Sequence, residues 1–321
     1  MITARLITKD DSEEFVKLLN RVYGDTYSYS ELYSSQGYES FLEKPGVFCF
    51  GSFDEESRMI GHTCVTFSDP KNNYAESGMS MRKPFNRAVS RNTEVETWET
   101  ILDFASKKTT YLHCNTTTYH SFAQRYAKKI LSGKFTCLIF DYAQGEKLRH
   151  INHIDRPMLA LTLTTILKPT EKKRVLIPEN SWANWLISIL NQFNRLSVVV
   201  KPKNEMLTLN VINENNNLKL TRYIANKYPT EGFNIKEVHT SSLNVLINLP
   251  LDGCGFDYLL ELGYLPVGIR PHHTRTDEVV FQHFTEKSKE AVSKTISNAK
   301  IYSTIDKNFI NEWLAICKRI M

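Results

Sequence analysis

The sequence is poor in the residues that mark specialised chains. Its 321 residues include 13 glycines and 11 prolines, too few for a collagen-like or low-complexity polymer. The six cysteines (Cys49, Cys64, Cys114, Cys137, Cys254 and Cys317) form no Cys-x-x-Cys pair and show no zinc-finger spacing, which argues against a disulfide scaffold and a zinc module. Cys49, Cys64, Cys114 and Cys137 lie in apolar runs, where free thiols act as small core groups, and this usage fits a reducing cytoplasm. Long hydrophobic runs are missing as well. The most apolar stretch, Met158–Leu167, is broken by three threonines and falls short of the ~20 residues that span a bilayer, so no membrane partner is expected. The start, Met1–Leu6, lacks the charged and then apolar pattern of a signal peptide.

Several chemical signatures are absent too. There is no Gly-x-Gly-x-x-Gly and no P-loop lysine, so dinucleotide and nucleoside triphosphate binding lack their phosphate cradles. No His-Glu-x-x-His and no Gly-x-Ser-x-Gly occurs. The adjacent His272 and His273 would point apart on an extended chain, so no metal is expected. Charge of one sign is also lacking: 40 Lys and Arg against 35 Asp and Glu give +5, which does not indicate nucleic acid. Residues 1–150 hold 19 basic and 19 acidic residues, so the remainder carries the whole excess. This asymmetry, with a length that suits about two domains, separates the halves.

What is present is a regular order of elements. Ala4–Ile7 reads as a strand. Asp11 or Ser12 can cap a helix whose apolar residues Phe15, Leu18, Leu19 and Val22 recur at helical spacing, and Gly24 ends it. A Tyr- and Ser-rich stretch follows, with a short helix near 30–42. The β-rich runs 47–53 and 59–67 make a hairpin, and Tyr74–Met81 adds a strand. A basic polar loop over 85–92 leads to a helix that Thr93 and Glu96 would open as a capping box. Strand 110–116, a helix over 120–131 ended by Gly133, and strands 135–142 and 158–167 complete the first half.

The polar segment 169–173 reads as the linker, dividing the chain into 1–168 and 174–321. The second half reads as strand 175–177, helix 180–193, strand 196–200, hairpin 207–212 with 218–223, strand 243–249, helix 256–262, strands 265–269 and 278–284, and a terminal helix over 307–318. The lysine-bearing stretch Lys287–Lys300 reads as a solvated helix face or loop. Both halves pass through strand, helix, Gly-aromatic and hairpin in that order.

Particular residues sharpen this order. Arg21-Val-Tyr-Gly-Asp-Thr-Tyr27, Leu32-Tyr33, Gly61-His62, Ala75-Glu-Ser-Gly-Met-Ser-Met81 and Thr118-Tyr-His-Ser-Phe-Ala-Gln124, with Asn248-Leu-Pro-Leu251 and Leu262–Ile269 through Asp277 to Gln282, together resemble the GNAT acyltransferase superfamily, in a bacterial branch with two such domains. The resemblance implies a mixed α/β fold: two GNAT-like domains, each a mostly antiparallel sheet splayed between its fourth and fifth strands and flanked by helices, the second degenerate. It implies an N-acyltransferase that uses acyl-CoA, acetyl-CoA first, and acts on the amine of a small-molecule or peptide-like acceptor. Two departures keep other readings open. Where the family has a glycine-rich phosphate loop, this chain keeps Arg87 but has Ser90, Arg91 and Asn92, and where the family places an acidic tyrosine it has Lys129. A non-catalytic binding or regulatory protein, or a carrier-protein or aminoacyl-tRNA donor, are the alternatives.

The same resemblance assigns candidate residues. Glu76, a carboxylate in a strand of small and apolar residues, is a candidate general base, against a structural partner for an arginine. His120 is a candidate for accepting the amine proton, against a place near a helix cap. Gly78, Met79 and Met81 would hold the thioester carbonyl through backbone amides. Arg87, Ser90, Arg91, Asn92 and Gln124 would contact the donor. Tyr23, Tyr27, Tyr33 and His62 would line the acceptor pocket, against ordinary packing on the sheet.

Overall fold

The hairpin at residues 47–69 closes on Asp54, whose Oδ1 accepts from the amides of Glu56 (3.1 Å) and Arg58 (2.9 Å), an Asx-type turn that needs no glycine. Around it, a computed structural model describes residues 2–27, 29–69, 74–82, 87–118, 121–140, 159–201, 208–215, 220–226, 233–234, 245–251, 255–272, 276–284 and 286–320. In the first half, β1 (Thr3–Leu6), α1 (Ser12–Tyr23), α2 (Ser35–Leu42), β2 (Val47–Phe53), β3 (Met59–Asp69) and β4 (Tyr74–Arg82) precede α3 (Arg87–Lys108). Then come β5 (Tyr111–Thr117), α4 (Phe122–Lys129), β6 (Lys134–Phe140) and β7 (Leu159–Ile166). The second half runs β8 (Lys173–Pro178), α5 (Ala183–Asn191), β9 (Arg195–Val200), β10 (Thr208–Asn215), β11 (Leu220–Asn226), β12 (Phe233–Asn234) and β13 (Val245–Pro250). It ends with α6 (Phe256–Glu261), β14 (Tyr264–Arg270), β15 (Glu278–His283), α7 (Glu286–Asn298) and α8 (Thr304–Ile320).

Local chemistry explains most boundaries. The apolar stripe of α1 buries Phe15, Leu18 and Leu19, and Gly24 ends the helix in the left-handed region (φ 63°), its amide bonded to Asn20 O as a glycine cap allows. Asp11 stands at the helix start, but its carboxylate is taken by Arg5 (both oxygens at 2.7 Å) and the Thr8 amide. The expected start of α3 is corrected. Its backbone is helical from Arg87, so Thr93 and Glu96 lie inside the helix and 87–92 is not a loop. No glycine or proline interrupts 87–108. Lys287–Lys300, expected as a solvated helix face or loop, is mostly α7, with Val292 on its buried side.

The mixed α/β architecture is built on one mostly antiparallel sheet flanked by helices. Its order is β1-β2-β3-β4-β5-β7-β6-β14-β15-β13-β11-β10-β12, with β8 and β9 as a separate parallel pair. Among the described residues, β4 with β5 and β11 with β13 are the parallel neighbours within the large sheet. Outward from the β6–β14 seam, β6-β7-β5-β4-β3 on one side faces β14-β15-β13-β11-β10 on the other.

At that seam Gly268 pairs with Cys137. A Cβ on Gly268 would stand 2.2 Å from Thr136 O and 2.3 Å from Cys137 Cα, so only glycine lets the strands meet. Beside it, Gln282 on β15 accepts from Phe140 N (3.0 Å) and donates to Phe140 O (2.8 Å), extending the ladder with a side-chain amide. The largest core crosses the seam, joining Phe135, Leu138 and Leu161 to Trp182, Trp185, Val267 and Trp313. Among the described residues, no helix is long and apolar enough to cross a membrane, and no group of three His, Cys, Asp or Glu side chains is placed to hold a metal.

Candidate active site

The first-half sheet opens where the parallel pairing of β4 with β5 stops. β4 and β5 pair from Tyr74↔Tyr111 to Ser77↔Cys114. Beyond that, β5 continues along β7 to Thr117↔Ala160 and β4 continues along β3 to Gly61↔Arg82. Among the described residues, Gly78–Arg82 and Asn115–Thr117 are not paired with each other, so strand edges carrying peptide groups face a split. A Cβ built on Gly78 meets nothing within 4 Å, which puts open space at the start of the split.

A bulge shapes the β4 wall. His62 pairs with Met81 and Cys64 with Gly78, so Met79 and Ser80 together oppose Thr63. Met79 adopts φ +50°, a conformation that a non-glycine residue holds only when its surroundings impose it. The imposing group is His62. Its Nδ1 lies 2.9 Å from Met79 O, and because a carbonyl only accepts, Nδ1 carries the proton. Its Nε2 is 3.0 Å from the Tyr38 hydroxyl, which burial keeps protonated by raising its pKa far above the usual phenol range. The Phe15 ring packs edge-on at 4.8 Å.

Glu76 sits one residue before the last parallel pair. It is half-buried, and its Oε1 accepts from Asn115 Nδ2 at 2.7 Å. Asn115 Oδ1 in turn accepts from Thr162 Oγ1 at 2.6 Å, so a hydrogen-bonded line crosses β4, β5 and β7. The amide fixes the carboxylate by donating one hydrogen bond. At the far end of β4, the Arg82 guanidinium lies 5.9 Å from the Tyr126 ring of α4, joining the two walls. Burial pulls its pKa down to about 10, which leaves it cationic at neutral pH.

The sequence-derived candidates therefore divide. Glu76, Gly78 and Met79 meet at the split. The Met81 side chain packs into the core with Phe15, Leu18 and Tyr38, which leaves the expected role of its backbone amide untouched. His62 is 1% exposed, so it stands behind the bulge and not in an acceptor pocket. Tyr23, Tyr27 and Tyr33 form one cluster: the Tyr23 and Tyr27 rings are 4.8 Å apart, and Tyr33 Oη accepts from Tyr27 N at 2.8 Å. They pack against the same core as Met79.

Gln124 is corrected as a donor contact. It is fully buried and spends its amide on the backbone, donating to Thr117 O (3.1 Å) and Lys300 O (2.9 Å) and accepting from Tyr302 N (2.9 Å). Arg87, Ser90, Arg91 and Asn92 contribute helical backbone at the start of α3, and their side chains lie outside the described residues. His120 lies outside the described residues altogether. Asn115, Thr162 and Arg82 were not singled out from sequence. The alternation of polar residues at 111, 113 and 115 carried a trace of the first of these.

No family model matches the chain, and neither does any curated protein. Solved structures similar to about half of it include an N-acetyltransferase from Staphylococcus aureus Mu50, 13% identical over 52% of this chain and 98% of that one, with a TM-score of 0.40. An aminoglycoside 6'-acetyltransferase type Ii is 11% identical over 53% and 99%, TM-score 0.40. A ribosomal-protein-S5-alanine acetyltransferase from Vibrio fischeri is 12% identical over 52% and 96%, TM-score 0.40.

Proposed function

We propose that this chain is a GNAT-type N-acyltransferase that moves an acyl group from acyl-CoA, acetyl-CoA first, to the amine of a small-molecule or peptide-like acceptor. The observation that carries this reading is the split between β4 and β5, with the Met79 bulge on one wall and the Glu76 carboxylate at its closed end. We further read the chain as two GNAT-like units, 1–168 and 174–321, because the sheet order repeats outward from the β6–β14 seam.

A bound acyl-CoA supplies the activated thioester. The open space at Gly78 and the unpaired edge of β4 fit a narrow extended ligand, and backbone N–H groups of Gly78–Met81 would face its carbonyl, where fixed donors stabilise developing negative charge. The first turn of α3 offers backbone N–H groups that the helix itself cannot satisfy, at the positive end of its dipole. It takes the anion-binding part that a glycine loop would otherwise play, with Arg82 as a further cation. Glu76 accepts the proton that the attacking amine gives up, directly or through water, while Asn115 keeps its carboxylate oriented.

A thiol-release assay with acetyl-CoA and a panel of primary amines tests this reading. Wild type should release CoA only when an amine is present, and Glu76→Gln should lower turnover by about 10²–10⁴-fold, the usual weight of a general base, with acyl-CoA binding retained. An undiminished rate in that variant would remove Glu76 from the mechanism.

A further inference from the structure

Behind the bulge, two thiols face each other across the hairpin. Cys49 on β2 and Cys64 on β3 are directly opposite, each 1% exposed, and both are free thiols. The Cys49 carbonyl accepts from Ile7 N at 2.8 Å, on the β1 side. In an antiparallel ladder a residue's N–H and C=O point to the same neighbour, so Cys49 and Cys64 form a non-hydrogen-bonded pair, with Cα atoms about 4.5 Å apart and Cβ atoms at the short end of the ~4.5–5.5 Å cross-strand range. A disulfide needs Cα atoms about 4.4–6.8 Å apart and Cβ atoms about 3.5–4.5 Å apart. Bridging this pair requires only a small approach of the two strands.

The surroundings also single out one sulfur as nucleophile. In this buried pair the Cys49 thiol is held below its usual range, chiefly by its contact with Cys64 and against the opposing effect of burial. Cys64 is pushed up by the same contact and by burial. Burial pushes the Cys114 thiol up to about 11 and the Cys317 thiol up to about 12, so both stay protonated and unreactive at neutral pH.

We propose that Cys49 and Cys64 are a redox site, oxidised by a small hydroperoxide to a cross-strand disulfide. The Cys49 thiolate attacks the terminal oxygen of the hydroperoxide, and the O–O bond breaks. The alkoxide or hydroxide that leaves takes a proton from solvent, and Cys49 becomes a sulfenic acid. The Cys64 sulfur then attacks Cys49 Sγ, the S–O bond breaks, and hydroxide leaves with the Cys64 proton as water. In total, two thiols lose two electrons, and the hydroperoxide is reduced to an alcohol, or water for hydrogen peroxide, plus one water. The pair is shut in by Phe15 and Tyr38, so a small uncharged oxidant suits it and a bulky charged disulfide such as oxidised glutathione does not. The site is independent of acyl transfer, and its test reads the sulfur chemistry itself.

The test is to treat native full-length protein with hydrogen peroxide or with oxidised glutathione, block remaining thiols in denaturant, digest it and map the peptides by mass spectrometry. With peroxide, the expected product is a Cys49–Cys64 linked peptide, two hydrogens lighter than the thiol pair, restored by dithiothreitol. Cys49 should be consumed at least tenfold faster than Cys114 or Cys317, and oxidised glutathione should give little product. In Cys64→Ser, dimedone should trap a sulfenic acid on Cys49. If that variant does not fold, the wild-type map decides alone. Recovery of both residues as free thiols after peroxide, or earlier oxidation of Cys114 or Cys317, would overturn the proposal.

Discussion

His62 Nδ1 donates to the carbonyl of Met79 across the β3–β4 ladder at 2.9 Å, and that bond holds a methionine at φ +50° at the edge of the split. His62 thus acts on the proposed chemistry from inside the core, as a positioning residue for the β4 amides. Replacing it with alanine removes the hydrogen-bonding partner of Met79 O and of the Tyr38 hydroxyl, each worth about 1–3 kcal/mol when left buried and unmade. His62→Ala should lower turnover about tenfold or more while the KM for the amine changes little. His62→Gln, whose amide can still donate, should recover much of the loss. Equal losses in both variants, tracking stability alone, would reduce His62 to a packing role.

The Arg5–Asp11 pair makes a pH prediction. The Arg5 hydrogen bond, reinforced by Thr8, holds the Asp11 carboxyl below its ordinary value against the opposing effect of burial. A depressed carboxylate stabilises the fold above the unfolded pKa of about 3.9, and that stability is lost as pH falls through the folded value. Because Arg5 is 44% exposed, screening limits the pair to about 0–1 kcal/mol. In urea unfolding, wild type should exceed Arg5→Ala by that margin at pH 6, and the gap should close as pH falls through the folded value of Asp11. A gap that widens toward acid would contradict this sign.

Gln282 predicts a weak seam once it is removed. Gln282→Leu keeps the side-chain bulk but leaves Phe140 N–H and C=O buried without their partner, at about 1–3 kcal/mol for each. The urea midpoint should fall, and hydrogen exchange at the Phe140 amide should accelerate well beyond that of Leu138 in the same strand. Unchanged protection at Phe140 would show that the backbone ladder alone closes the seam.

Much of this architecture was legible in the sequence, because short strands and amphipathic helices leave local marks. The stripe of α1, its glycine cap, the β2–β3 hairpin and the strands from β4 to β7 all follow from periodicity and turn residues. The start of α3 was misplaced because Thr93 and Glu96 imitate a capping box, while the helix formers upstream of them carry no such flag. The site was legible only where a residue offends its setting, as Glu76 does in a strand of small side chains. Gln124 looked like a ligand contact because it follows His120 by one helical turn, and nothing local marks an amide that is spent on distant backbone. Its partners, Lys300 and Tyr302, lie far along the chain. The Asn115–Thr162 line and the facing of Cys49 on Cys64 depend on strand register, which a single sequence fixes only weakly.

The central claim, that the β4–β5 split receives an acyl-CoA, is tested most directly at Gly78. A Cβ there meets nothing within 4 Å, and no positive φ forbids a side chain, so Gly78→Val should fold normally while filling the mouth of the split. Calorimetric titration with acetyl-CoA should give a saturable heat for wild type and none for Gly78→Val, with thermal midpoints within about 2 °C of each other. Absence of binding to wild type, or equal binding to both proteins, would contradict the account.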